Sequence, residues 1–421
     1  MRGIRFLGAT ATAALVVLVL VSCTPEQPTP VPTKKSVPVV AVKGDGVLRI
    51  GTEFPTTGSS AFIGPAQVAG VEVAVREINQ AGGVLGKPVE VLHRDSGDAP
   101  TTVLETSFAD LVAKKVDVLI GPSSSVLVER LVPKAVAAGV AMISPAATAP
   151  GLSTLNDSDL LFRTIPSDSL EGTALAGLVV KAKGAKVAVV YFGDDSGKAI
   201  NGALAKSVAK AGGSMVAAQL FDANTKDLAG VVAAVSKAKP DAVVLASPFS
   251  AMEQNKTLLT QLSAAGLGGA KLWLTSGNLA DYSQALPAGL LTGVNGILEG
   301  AEPSAAFSAR VKAADPAVTD FRYSAEAYDA TILAALAATV AKNDSGAAVA
   351  AALPGVSSGG IKCLSYGECL DVLKTQTDID YDGVSGPISF DASGDPRIAH
   401  YGVYSYTAEN KFVWSRGIVT G

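Results

Sequence analysis

The stretch Leu119–Val126, LIGPSSSV, sets three consecutive serines between an apolar run and the start of a helical pattern. Serines in that place have two uses. A hydroxyl can cap the helix by accepting from a first-turn N–H, a contact of about 1 kcal/mol. Or the unpaired N–H groups of that turn, the helix dipole and a hydroxyl can together receive an anion. The next apolar run, VAMIS, exits into SPAATAP, which adds a hydroxyl at Thr148 and accessible backbone near Ala146. The serines by themselves leave both uses open.

Catalytic chemistry has little support. The chain lacks a G-x-S-x-G elbow, an H-E-x-x-H pair, a G-x-G-x-x-G turn and a Walker loop. Its two histidines, His93 and His400, fall on strand patterns, so no serine has a base beside it to activate it. No enzyme, cofactor or metal is expected. The net charge of −4, with both signs interspersed and no basic stretch alternating with aromatics, excludes a nucleic-acid partner.

The candidate residues need a scaffold, and the alternation of apolar runs supplies one. From Val47 onward, GVLRIGTEF, VEVLHRD, VDVLIG and VAMIS read as strands, with helices near 65–80, 99–114 and 125–138. In the first helix Val68, Val71, Val75 and Ile78 share one face, and the glycines of QAGG end it. The rhythm resumes with KVAVVYFG, SMVAAQLF, DAVVLAS and KLWLTS, separated by helices near 198–211, 226–238 and 252–265. Two doubly wound α/β domains result, and such domains bind ligands beyond the carboxyl ends of their strands. In the tail, 304–314 and 323–341 read as helices, and GPISFD, HYGVYSYT and KFVWSRGI as strands. This segment is too small and mixed for a third domain and is expected to return to complete the first two. With 48% hydrophobic and 5% aromatic residues and a mean hydropathy of +0.35, the composition suits parallel sheets covered on both faces.

The N-terminus is built for export. Arg2 and Arg5 precede an uncharged, mostly apolar run from Leu7 to Val21, shorter than the ~20 apolar residues a spanning helix needs. LVSC (Leu20–Cys23) resembles the bacterial lipobox, which implies cleavage before Cys23, a diacylglyceryl group on its sulfur and a lipid-anchored protein on the outer face of the cell membrane. A Pro-, Thr- and Lys-rich stretch to residue 46 reads as an extended tether. Export permits a disulfide between Cys363 and Cys369, which the short LSYGE loop can bring together; no histidine lies near them in sequence to favour a metal.

The opening IGTEFPTTGSSAFIGPAQVAGVEVAVREINQAGGVLGKPVEV resembles that of the Leu/Ile/Val-binding family of type I periplasmic solute-binding proteins. IGPSSSV, MISPAAT, FRTIPSD, YSAEAYDA and GVSGPISFDASGDP continue the likeness over roughly residues 47–415. The resemblance implies an α/β, type I periplasmic-binding fold: two doubly wound parallel-sheet lobes joined by a three-segment hinge. The crossings are expected near Thr164–Asp168, Leu298–Ala301 and Gly386–Asp391. That divides the chain into a signal peptide (1–22), a lipidated tether (23–46), lobe 1 (47–165 and 300–386) and lobe 2 (166–299 and 387–421). It also implies an importer's receptor that closes on a small carboxylate-bearing solute and docks on an ABC permease with its ATPase subunits. An amino acid of the branched-chain type comes first among solutes. Amides, urea-like solutes or aromatic acids, or ligand sensing without transport, are the alternatives.

By this resemblance Ser125, Ala146 and Thr148 hold the ligand's carboxylate. The family's second-lobe acid, which contacts the ligand's ammonium, is replaced by Ser276 in TSGN. A serine cannot supply full counter-charge. Asp168 is the best remaining carboxylate, ahead of Asp194 and Asp195 in YFGDDSG. The family's aromatic position falls near Ile63, and Phe62 and Phe249 are the rings available either to stack on a ligand or to pack.

Overall fold

The computed structural model of the chain describes residues 44–181 and 184–421, all within one structural unit. The export segment, Cys23 and nearly all of the tether lie outside the described residues.

The first run of elements is β1 (Arg49–Phe54), α1 (Gly64–Gln80), β2 (Glu90–Asp95), α2 (Val103–Ala113), β3 (Val118–Ile120), α3 (Ser125–Ala138), β4 (Ala141–Ser144) and β5 (Leu161–Arg163). Its strands pair in parallel in the order β2-β1-β3-β4-β5. β3 and β4 are buried at every residue, because helices cover both faces of the sheet and leave no side chain for water.

The second run is α4 (Asp168–Val179), β6 (Lys186–Phe192), α5 (Asp195–Lys210), β7 (Ser214–Phe221), α6 (Leu228–Lys237), β8 (Ala242–Ala246), α7 (Met252–Ala264), β9 (Leu272–Leu274) and β10 (Asn295–Glu299). The tail contributes α8 (Ala305–Ala314), α9 (Ser324–Ala341), α10 (Gly346–Val356), β11 (Ile361–Cys363), α11 (Tyr366–Leu373), β12 (Ile379–Gly383), β13 (Gly386–Pro387), β14 (Ala399–Tyr406) and β15 (Phe412–Thr420). The second sheet runs β15-β14-β10-β9-β8-β6-β7, parallel from β7 to β10 and antiparallel where β14 and β15 join. A small sheet, β11-β12-β13, completes the set.

The tail divides between the two lobes. Phe307, Val311, Ile332, Val349 and Tyr366 share a core with Ile50 and Val71 of the first lobe, whereas β14 and β15 belong to the second sheet. α9 is buried from Ser324 to Ala338 and lies so close to α1 that a Cβ on Gly70 would sit 2.2 Å from the Ser324 carbonyl. Only glycine fits there. Ile388 and Phe390 still pack in the first core, and Asp395 bonds Arg163, so the chain reaches the second sheet only at Ala399. The third crossing therefore lies beyond Gly386–Asp391, and GPISFD pairs as a strand only over Gly386–Pro387, with one further bridge from Phe390 to Pro396. Cys363 and Cys369 are bridged, their Cα atoms 5.1 Å apart, at the β11–α11 junction. Among the described residues no helix is long and apolar enough to cross a membrane.

Candidate functional site

Gly121 ends β3 at φ +112°, and a Cβ there would lie 2.5 Å from the Glu53 carbonyl, so only glycine lets the chain turn out of the sheet. The three serines that follow take different partners. Buried Ser123 donates to Gln67 Oε1 at 2.8 Å. Ser124 occupies the cap position of α3 but makes no side-chain cap bond. Ser125 opens the helix, and its hydroxyl accepts from the Ala149 N–H at 3.1 Å. That bond ties the α3 N-terminus to the loop after β4. The first N–H bonded within the helix is that of Val128, to the Ser124 carbonyl, so the three before it face outward at the positive end of the dipole.

The loop after β4 is held from beneath. Ser144 donates to the Pro122 carbonyl (2.7 Å) and accepts from the Ala147 N–H (3.1 Å). Arg163, fully buried at the end of β5, donates to the carbonyls of Ala147 (3.2 Å) and Ala149 (3.0 Å) while its other nitrogens grip Asp395 at 2.7 and 2.6 Å. Ala146 and Thr148, half-buried, are thus presented on a rigid loop.

Opposite them stands a cluster of acids. Asp168 and Glu171 occupy the first turn of α4, which lies over the carboxyl end of β10, where Glu299 sits directly across from Tyr401 of β14. One carboxylate oxygen from each of Asp168, Glu171 and Glu299 falls within 4.8 Å of the other two, and all three residues are buried. The Asp168 backbone N–H donates to the Thr148 carbonyl at 3.0 Å, and the hydroxyls of Ser196 and Thr148 face its carboxyl group. Glu171 accepts from the Ser276 N–H at 2.7 Å. Burial raises all three acids above the usual carboxylate range: Asp168 upward, Glu171 well upward, with Glu299 and Asp168 adding repulsion, and Glu299 to about 7. Tyr323, held at φ +61° just before α9, adds a phenol beside Glu299, a conformation that a bulky side chain adopts only under constraint.

The two lobes also meet through rings. Phe62, ahead of α1, stands edge-on to Phe249, after β8, with centroids 5.9 Å apart. The Arg322 guanidinium lies 5.4 Å from the first centroid and 5.2 Å from the second, and its Nε donates to Asp320 at 2.9 Å. The phenylalanines therefore contact each other and an arginine.

Two α/β lobes, each built on a largely parallel sheet, make up the described chain, and residues 47–404 match the family described as periplasmic binding protein. The chain belongs to the type I periplasmic-binding family. Its relatives include the chemotactic signal transduction system substrate-binding protein BasB of Halobacterium salinarum, 26% identical over 82% of this chain and 84% of that one. A leucine-, isoleucine-, valine-, threonine- and alanine-binding protein of Pseudomonas aeruginosa is 30% identical over 45% of this chain, which spans about half (51%) of that relative. Among solved structures, LivJ, the branched-chain amino acid transporter substrate-binding protein of Streptococcus pneumoniae in complex with isoleucine, is 25% identical. It superposes with a TM-score of 0.63 over 88% of this chain and all of that one. The family is one of extracytoplasmic substrate-binding proteins, not of enzymes.

Within this periplasmic-binding scaffold, Ser125 and Thr148 lie on neighbouring loops joined by the Ser125–Ala149 bond, and Asp168 and Ser276 belong to the acid cluster. Ile63 caps α1 through its backbone, its carbonyl accepting from Gln67 Nε2 at 3.2 Å. Asp194 is a helix cap, accepting from the Gly197 N–H at 2.8 Å, and Asp195 is an exposed partner of Lys198. His93 is engaged by Thr52 and Glu72, each at 2.8 Å. The sequence reading missed Glu171, Glu299, Arg322, Tyr323 and Tyr401. Glu171 follows Asp168 by one helical turn, and Glu299 is an acid closing an apolar strand, NGILEG, just before a glycine. Both were signals available in the sequence.

Proposed function

We propose that the chain is an extracytoplasmic substrate-binding lipoprotein of an ABC importer, anchored through Cys23, whose lobes close on a small carboxylate-bearing solute. One observation carries the solute class. The α3 N-terminus, with its first-turn N–H groups ahead of the first helical bond, is tied by Ser125 to the Ala146–Thr148 loop, and both follow the carboxyl ends of neighbouring parallel strands. Dipole, amides and hydroxyls there favour a negative group. Ser125, Ala146 and Thr148 take the carboxylate, and Asp168, with its neighbours beside Ser276, takes the far end of the solute. Phe62 and Phe249 serve as a closing contact between lobes. Amino acids of the branched-chain type come first; amides, urea-like solutes and aromatic acids are the alternatives.

A thermal-shift screen of the full chain against amino acids, amides and organic acids tests this. A true ligand at a hundredfold excess over its Kd adds about 2.7 kcal/mol. Ser125→Ala combined with Thr148→Ala then abolishes most of the calorimetric affinity; unchanged affinity, or a melt shifted only by neutral sugars, refutes the carboxylate reading. The chemotaxis relative, similar over most of both chains, supports ligand sensing as a second reading. Loss of solute uptake on deletion of the gene separates transport from sensing.

A further inference from the structure

We propose that Arg322 is the clamp between the lobes: its guanidinium holds Phe249 and the Leu279 carbonyl of the second lobe to the first, and so sets how long a solute stays bound. The proposal rests on the reading above that the lobes close on a solute, and it names the side chain that keeps them together. Arg322 acts here as a positioning residue.

The first observation is reach. Arg322 lies on the turn before α9, between tail helices that pack in the first lobe's core. Its guanidinium carbon stands 5.4 Å from the ring centre of Phe62, in the same lobe, and 5.2 Å from that of Phe249, which packs against the second core. Its Nη1 donates to the Leu279 carbonyl at 3.5 Å, and Leu279 is buried in that second core. Phe249 follows β8 and Leu279 follows β9, so one side chain engages two loops of the opposite lobe.

The second observation is anchorage. Nε donates to both oxygens of Asp320, at 3.0 and 2.9 Å, and Nη2 donates to Asp320 as well. The Arg322 backbone N–H adds a bond to Asp320 Oδ1 at 3.0 Å. The planar fork is therefore oriented from the first-lobe side, with its faces left for the rings. The side chain is only 11% exposed.

The third observation is that the contacts divide by lobe. Asp320 and Phe62 belong with Arg322, so those contacts survive any parting of the lobes. The contacts to Phe249 and Leu279 exist only while the lobes touch. An interaction present in one of two states is what shifts the balance between them. A cation within about 6 Å of a ring centre is attracted by that ring, and the attraction grows when water is kept away. Lysine is a poor substitute, because a compact ammonium has no planar faces to set between two rings.

The test measures separation and release on the full chain carrying Cys23→Ser. Spin labels on Val112→Cys in α2 and Leu220→Cys in β7, both exposed and one on each lobe, report the distance between lobes. Arg322→Met lengthens that distance by more than about 2 Å, the scale of a domain rearrangement. Phe249→Ala does the same, and Arg322→Lys falls between the parent and Arg322→Met. Stopped-flow release of leucine becomes about tenfold faster in Arg322→Met, while its association changes little. A distance unchanged in both Arg322→Met and Phe249→Ala overturns the clamp. Leucine released from Arg322→Met at the parent rate overturns its control of residence time, while the carboxylate reading stands. If no carboxylate binds, that reading falls, and the distance alone decides the clamp.

Discussion

Arg163 joins the fold to the site, and its removal has a magnitude that can be worked out. The guanidinium is fully buried, grips Asp395 through two nitrogens, and donates to the carbonyls of Ala147 and Ala149 on the loop that carries Ala146 and Thr148. Arg163→Met leaves the buried Asp395 carboxylate and two carbonyls without their donor. Removing one partner of a buried ion pair costs about 3–5 kcal/mol. A lobe of this size loses about 2–4 °C in melting midpoint per kcal/mol, so the fall is roughly 10 °C. Differential scanning calorimetry reads the fall, and isothermal calorimetry with the cognate solute reads the loosening of the loop as lost affinity. Adding Asp395→Asn removes the orphaned charge while keeping an acceptor for Ser153, which bonds that side chain at 2.5 Å, so the double variant regains part of the loss. A midpoint within about 2 °C of the parent would refute the reasoning, since it would mean the pair is worth under 1 kcal/mol.

Phe62→Ala removes the ring stacked edge-on to Phe249 and one face of the Arg322 contact. Such contacts are worth about 0.5–1.5 kcal/mol each, so solute affinity falls about tenfold in calorimetry while the fold's melting temperature barely moves. An unchanged affinity means the rings play no part in closure. Replacing Cys363 and Cys369 by serine frees a short loop; the loop-closure model gives a loss of about 2 kcal/mol, seen as a lower denaturant midpoint, with solute affinity intact because the bridge lies at the β11–α11 junction. Burial lifts Glu299 from 4.5 to about 7, so the folded chain binds more protons than the unfolded one between those values. Stability of the ligand-free chain therefore falls as pH rises from about 5 to 7. Glu326, lifted to about 8, and Asp329, lifted to about 6, act in the same direction. Melting midpoints across that range fall, Glu299→Gln flattens the slope, and a midpoint that rises with pH contradicts the assignment.

The alternation of apolar strands and one-faced helices made the two lobes readable, because a helix covering one side of a sheet needs only one apolar stripe. α1 shows this with its buried Val71, Val75 and Ile78. α4 and α10 escaped the same reading: Ala, Gly and Leu or Val surround them, so no stripe stands out at helical spacing. GPISFD reads as a strand by residue type, but past Pro387 its residues pack into the first lobe's core instead of extending a sheet. The pairing of the α3 start with the next loop was legible because it depends on local chemistry, serines at a helix start and a threonine on the loop after the adjacent strand. The acid cluster was not. Glu299 and Tyr401 are a hundred residues apart and meet only through antiparallel strand register, and Glu171 joins them only because α4 lies across both strands.

The central claim is that a carboxylate solute is gripped between the lobes at the α3 N-terminus. A crystal structure of the chain with the solute that gives the largest thermal shift tests it most directly. The account predicts the solute's carboxylate within hydrogen-bonding distance of Ser125 and Thr148, with both lobes in contact with it. A solute lodged outside the cleft, or bound there with its carboxylate turned away from α3, contradicts it.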